Sequence, residues 1–315
     1  MKQNYEIKSD RIRERFLAYK NEHPERLKNR LRFSWSSWGF GIEDFAMSCE
    51  RLNRAGISCI ELPGNHHGAD LGYRPADILP VMREWGISVS GICGLYSADT
   101  DLSSNRPLQR QAAIDYIRRE AAFGAEVGAR YLLICPSAVG RPQKYDDSEI
   151  HRSVESLSRA ADSLVEHGVL GAVEPIRSAE TSAVHTIAQA KAYIEQLNHP
   201  GVRHINGDVF HMLTEESHIG EAILDAGDRL LNLHLADTNR CALGDGSLDL
   251  DTVIMALYLL DFNNKDNTFV TPEPLGPGGD PYPAQHARTD PAVLDKMVFD
   301  TVNYFRSREE AVLAL

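Results

Sequence analysis

The chain is poor in cysteine: Cys49, Cys59, Cys93, Cys135 and Cys241 are the whole set among 315 residues, and no two form a C-x-x-C pair. An odd, scattered set excludes a disulfide framework and a cysteine-built zinc site. It reads as a reduced, cytosolic (cytoplasmic) chain. Basic residues are also scarce, with 33 Lys+Arg against 45 Asp+Glu and a formal charge of −12. A surface of that sign repels phosphate, so neither nucleic acid nor an anionic membrane is an expected partner. No apolar run reaches the roughly 18 residues of a membrane span. The opening MKQNYEIKSDRIRERFLAYK lacks the apolar core and cleavage site of a secretory leader. A G-x-G-x-x-G loop is missing after the first strand candidate, which runs into FSWSSWGFG instead. That disfavours a doubly wound open sheet, the runner-up architecture.

What is present is a rhythm. Residues 1–30 form a densely charged segment with a thin apolar stripe at Ile12, Phe16 and Leu17, and read as a helical arm. Such an arm is either a solvated lead-in or a surface for a partner subunit. From residue 31, short buried-type strands alternate with amphipathic helices. Strands are expected at 32–37, 58–63, 87–94, 131–136, 170–175, 203–208, 231–236 and 268–273. Helices are expected at 43–56, 74–86, 110–129 and 153–168, with Gly56, Gly86 and Gly168 placed as C-terminal stops. Eight strand–helix pairs predict an α/β fold, a (β/α)₈ barrel spanning 31–315 as a single catalytic domain after the N-terminal helical extension.

In such a barrel, chemistry sits at the C-terminal ends of the strands. The fifth expected strand ends in Glu174, the sixth in Asp208, the seventh carries His234 and the eighth ends in Glu273. Any one of these alone is an ordinary solvent-facing residue or a hydrogen-bonded histidine. Three carboxylates at one mouth repel unless a cation or protons intervene. A Glu₂/Asp/His set suits Mn²⁺ first, then Mg²⁺ or Co²⁺. Further polar groups stand at fixed offsets: Glu180 after Glu174, His211 after Asp208, and Arg240 after His234. Trp35, Trp38, Phe40, Tyr96 and Tyr282 fall at or beyond strand ends, where rings could stack on a sugar or a flat aromatic group, or simply fill the core.

These residues resemble the xylose-isomerase-like barrel superfamily of sugar isomerases and epimerases over roughly 31–310, and in pattern the ketose 3-epimerases. In that family a Glu of an E-P motif, an Asp of a D-x-x-H motif, a His and a last-strand Glu hold the metal. The resemblance assigns these roles to Glu174, Asp208, His234 and Glu273. It also implies that Glu180, His211 and Arg240 hold the sugar, and that Glu174 and Glu273 are the paired acid and base. The stretch Arg240–Gly246 repeats the family's R-x-x-x-G-x-G.

Three features depart from a plain epimerase: the N-terminal arm, the GNHHGADLGY loop at 64–73 with His66 and His67, and the TPEPLGPGGDPYP loop at 271–283. They look similar to the large metal-binding subunit of bacterial C-glycoside deglycosidases. That family works as a hetero-oligomer with a small β-sandwich partner. The first reading is therefore a metal-dependent lyase that enolises a 3-oxo-C-glycoside and expels its aromatic aglycone by elimination. On it, His66, His67 or His211 is the base and Trp38 and Tyr282 flank the substrate; His151, on an expected helix, is a weaker choice. The alternative is a ketose 3-epimerase or sugar isomerase using the same site. A non-catalytic sugar-binding subunit is the reading of another class. A metal-dependent endonuclease of the same superfamily would need more His/Asp ligands and a basic face.

Overall fold

The computed structural model describes residues 2–64, 72–276, 281–284 and 286–315. His66 and His67 lie outside the described residues, as does the Tyr282 side chain. Seven parallel strands form one sheet in sequence order: β1 (Cys59–Pro63), β2 (Ser88–Cys93), β3 (Tyr131–Ile134), β4 (Leu170–Val173), β5 (Val202–Asp208), β6 (Leu230–Leu235) and β7 (Phe269–Pro272). β3 (YLLI), β4 (LGAV) and β7 (FVTP) read as unbroken apolar or small-residue runs because both faces are buried, one by helices and one by the barrel interior. The helices are α1 (Asn4–Glu22), α2 (Phe45–Arg54), α3 (Pro75–Trp85), α4 (Pro107–Val127), α5 (Glu149–Ser158), α6 (Ala161–His167), α7 (Ile187–Leu197), α8 (Val209–Glu215), α9 (Ile219–Ala226), α10 (Leu250–Leu259), α11 (Pro281–Ala284) and α12 (Pro291–Ala314). The arrangement is the expected (β/α)₈ barrel with a helical N-terminal extension.

One expected strand is not a regular strand. Residues 32–37 contribute single bridges, Phe33 to Val270 and Ser36 to Glu61, before the chain coils into a 3₁₀ turn at Ser37–Phe40. They still close the barrel. The Ser34 and Ser36 amides donate to Val270 and Pro272 of β7, and the Trp35 amide donates to Cys59 of β1. The chain thus bonds to both edges without room for a full ladder. The expected helix at 153–168 is also two helices, α5 and α6. The Ser156 hydroxyl donates to the Arg152 carbonyl four residues back (2.7 Å), a bond that competes with the helix ladder just before the break.

Helix α1 corrects a further expectation. Its stripe is not solvated: Ile12 and Phe16 are buried, and Phe16 meets Tyr258 of α10 with ring centroids 6.3 Å apart. Ser9 donates to Asp249 at the start of α10 (2.8 Å), and Lys8 pairs with Glu221 of α9 (2.7 Å). The arm therefore rests on its own barrel.

Candidate metal centre

The strands deliver the predicted side chains to one end of the barrel. Glu174 follows β4, Asp208 closes β5, His234 lies near the end of β6, and Glu273 follows β7. In the β5–β6 ladder Asp208 sits directly beside His234, so register alone makes them neighbours. All four are buried. Glu174, Asp208 and His234 offer ligand atoms within 4.8 Å of one another, and so do Glu61, His234 and Glu273.

His234 Nδ1 is the centre of the group. Glu174 Oε1 and Glu273 Oε2 each stand 3.7 Å from it, too far for a hydrogen bond, and the atom has no hydrogen-bond partner although it is buried. A buried nitrogen held back from two carboxylates at that spacing is what a shared cation would fill. The donor set, imidazole and carboxylate oxygen, matches a borderline or hard divalent ion. The residues present therefore fit a divalent metal.

The electrostatics agree. Burial pushes the Glu174 carboxyl well above its usual range, and Asp208, Glu273 and Glu61 add to the shift against the pull of His234. Burial likewise raises Glu273, again against His234. For His234, burial opposes the charged ring, but Glu61 and Glu273 outweigh it and its pKa rises well above the ordinary value. These shifts mark charge crowding of the kind a bound cation relieves.

Around this centre lies a tight cavity of about 40 Å³ lined by Trp38, Glu174, Glu180, His211, Arg240 and Glu273, with Cys93 and Cys135 also at its wall. This is well below the roughly 300–1,000 Å³ of small-molecule pockets. His211, on α8, places Nε2 3.3 Å from Asp208 Oδ2, and burial lowers its pKa. Arg240 is buried in a left-handed backbone conformation (φ 61°), fixed because its carbonyl accepts from the Leu275 and Gly276 amides, both at 2.9 Å. Its guanidinium stacks 4.4 Å from the Phe210 ring and reaches to 3.6 Å from Glu273. Glu180 pairs with Arg177 at the rim.

Several sequence candidates do not reach the cavity. Trp35 and Phe40 are buried and stacked on each other, 6.0 Å apart, and Tyr96 packs edge-on to Tyr116. They are core, because the barrel wall must be filled, and Trp38 alone of the described aromatic candidates lines the pocket. His151 lies exposed on α5. Sequence reasoning missed Glu61. It is fully buried in β1, and its Oε1 lies 2.8 Å from His234 Nε2. The available signal was a carboxylate inside the apolar run CIELP, which burial would forbid without a partner.

A parallel barrel with carboxylates and an imidazole converging at its strand ends has the form of a metal-assisted barrel enzyme. The chain belongs to the xylose isomerase-like TIM barrel family, whose model matches residues 49–296, and it is an enzyme. It is 30% identical to a ketose 3-epimerase of Arthrobacter globiformis, over 71% of this chain and 76% of that protein. It is 26% identical to a 3-dehydro-D-guloside 4-epimerase of Escherichia coli, over 58% of this chain and 71% of that one. A solved L-ribulose 3-epimerase shares the fold, with a TM-score of 0.78 at 18% identity, covering 90% and 96% of the two chains.

Proposed function

We propose that this chain is a divalent-metal-dependent sugar epimerase of the ketose 3-epimerase kind, with Glu174, Asp208, His234 and Glu273 as ligands and Mn²⁺ as the first choice of ion. The observation that carries the reading is the pair Glu174 and Glu273. They come from β4 and β7 and flank the same imidazole nitrogen at 3.7 Å each. Inverting a carbon needs a proton removed on one face and returned on the other, and two carboxylates on separate strands are suited to that division. When bound, the ion would polarise the sugar's carbonyl and hydroxyl oxygens and so acidify the adjacent C–H.

The protein's own groups do the rest. One carboxylate takes the C–H proton, and the other returns a proton to the opposite face, so the product is an isomer and nothing is consumed. Arg240, immobilised by Phe210 and its backbone bonds, brings a fixed positive charge for the oxyanion that develops. Glu180 and His211 line the cavity as acceptors and donors for sugar hydroxyls.

The deglycosidase reading rests on the loops at 64–73 and 271–283, large parts of which lie outside the described residues. One observation keeps it as a second reading: a relative acts on a 3-dehydro glycoside, the oxidation state that such an elimination requires. The small β-sandwich partner and the oligomer belong to this second reading as proposals. Incubation with ketoses in D₂O and Mn²⁺ separates the two. Deuterium at C3 with epimer formation is expected. Release of free aglycone from a 3-oxo-C-glucoside without such exchange would replace the epimerase by the lyase. Neither result in metal-loaded protein would favour the non-catalytic sugar-binding class.

A further inference from the structure

Beneath the ligands lies a second polar layer that the proposed reaction does not use. Side chains two residues apart on a strand share a face. Asn206 precedes Asp208, Asn232 precedes His234 and Thr271 precedes Glu273 by that step, and all three are fully buried. Barrel interiors are commonly filled with bulky branched residues, so a polar layer here needs another reason.

The layer is directional. Thr271 Oγ1 donates to Asn232 Oδ1 (2.6 Å), Asn232 Nδ2 donates to Asn206 Oδ1 (2.9 Å), and Asn206 Nδ2 donates to Glu174 Oε1 (3.0 Å). Glu61 closes it on the other side. Its Oε2 accepts from the Tyr131 hydroxyl (2.8 Å) and, at 3.4 Å, from Asn232 Nδ2. Its Oε1 faces His234 Nε2 at 2.8 Å. Both Glu61 oxygens are thus engaged, and Oε1 meets the imidazole at Nε2, away from the Nδ1 that faces Glu174 and Glu273. Glu61 is placed to hold the ring rather than to join the ligands.

We infer that Glu61 is a positioning residue that keeps the His234 proton on Nε2 and turns the Nδ1 lone pair toward Glu174 and Glu273; this rests on the metal-site reading above. An acceptor on one imidazole nitrogen selects the tautomer that leaves the other free to ligate, and it also makes that nitrogen more basic. Tyr131 and Asn232 aim Glu61 in turn.

Calorimetric titration of Mn²⁺ into EDTA-treated, dialysed full-length protein tests this. Glu61→Leu should lower affinity about 10–100-fold, the usual cost of losing such a partner. Glu61→Gln, whose amide oxygen still accepts from Nε2, should recover most of the loss. Tyr131→Phe strips one of the two bonds that aim the same carboxylate but leaves the Nε2 acceptor, so it should cost less affinity than Glu61→Leu. Losses that simply follow the melting temperatures of all three variants would overturn the inference. Should Glu61→Leu not fold, ¹⁵N-histidine spectra of the Zn²⁺-loaded wild type decide, with the His234 ring identified by its absence in His234→Asn. A proton on Nε2 is expected, and a proton on Nδ1 overturns the assignment. If the wild type takes up neither Mn²⁺ nor Zn²⁺, it is the metal site itself that fails.

Discussion

At the residue scale, the site is an economy of donors around carboxylates that would otherwise repel. Ser36 Oγ donates to Glu273 Oε1 (3.0 Å) and Asn206 donates to Glu174 Oε1, so a neutral donor orients each proposed acid/base group without cancelling its charge. Glu273→Gln preserves shape and the Ser36 contact but removes the exchangeable proton and the negative charge. Turnover on the best ketose should fall by about 10²–10⁴-fold, the worth of one general acid or base, while the melting temperature changes little. Steady-state kinetics beside a thermal melt measures this, and activity within tenfold of wild type would remove Glu273 from the chemistry.

At the scale of elements, most of the site was legible because strands repeat every two residues and end in a defined direction. Glu174, Asp208, His234 and Glu273 all stand at or near the C-terminal ends of strands. The floor beneath them was written as plainly, as N-x-D, N-x-H and T-x-E, but polar residues inside a strand carry no instruction about partners. Glu61 illustrates the limit: its partner His234 is 173 positions away. Neighbouring strands also constrain each other. A Cβ at Gly91 of β2 would lie 2.1 Å from the Tyr131 ring, so only glycine lets that ring cross to Glu61. Gly91→Ala should therefore destabilise by about 1–3 kcal/mol, as overpacking does. Urea midpoints would show it, and an unchanged midpoint would mean that the ring has room elsewhere.

At the scale of the whole molecule, the centre couples metal, protons and stability. In the metal-free protein the pKa values of Glu174, Glu273 and His234 are raised in the folded state. Groups raised in this way stabilise most at low pH, below their unfolded values of about 4.3 for Glu and 6.5 for His, and lose that contribution as pH climbs through the folded values. The metal-free protein should therefore weaken from pH 5 toward pH 8. An ion that displaces these protons binds better over the same range. Mn²⁺ held free at 100 times its dissociation constant stabilises by about 2.7 kcal/mol. The difference in melting temperature between Mn²⁺-loaded and EDTA-treated protein, at one fixed total Mn²⁺, should widen as pH rises. A gap that narrows would contradict the proton-displacing site.

The amino-acid order by itself determined the barrel, the positions of its regular strands and the candidate ligands, since burial periodicity and strand polarity are local properties. It also marked Ile12 and Phe16 as an apolar stripe. Tertiary structure decided what local pattern cannot express. It laid that stripe on α10, reduced 32–37 to a closing stave with two bridges, and turned Trp35, Phe40 and Tyr96 into core. It also brought Glu61 of β1 across the barrel interior to His234 of β6. Each of these depends on which distant surfaces meet, and a buried charge or ring acquires its role only from the partner that folding brings to it.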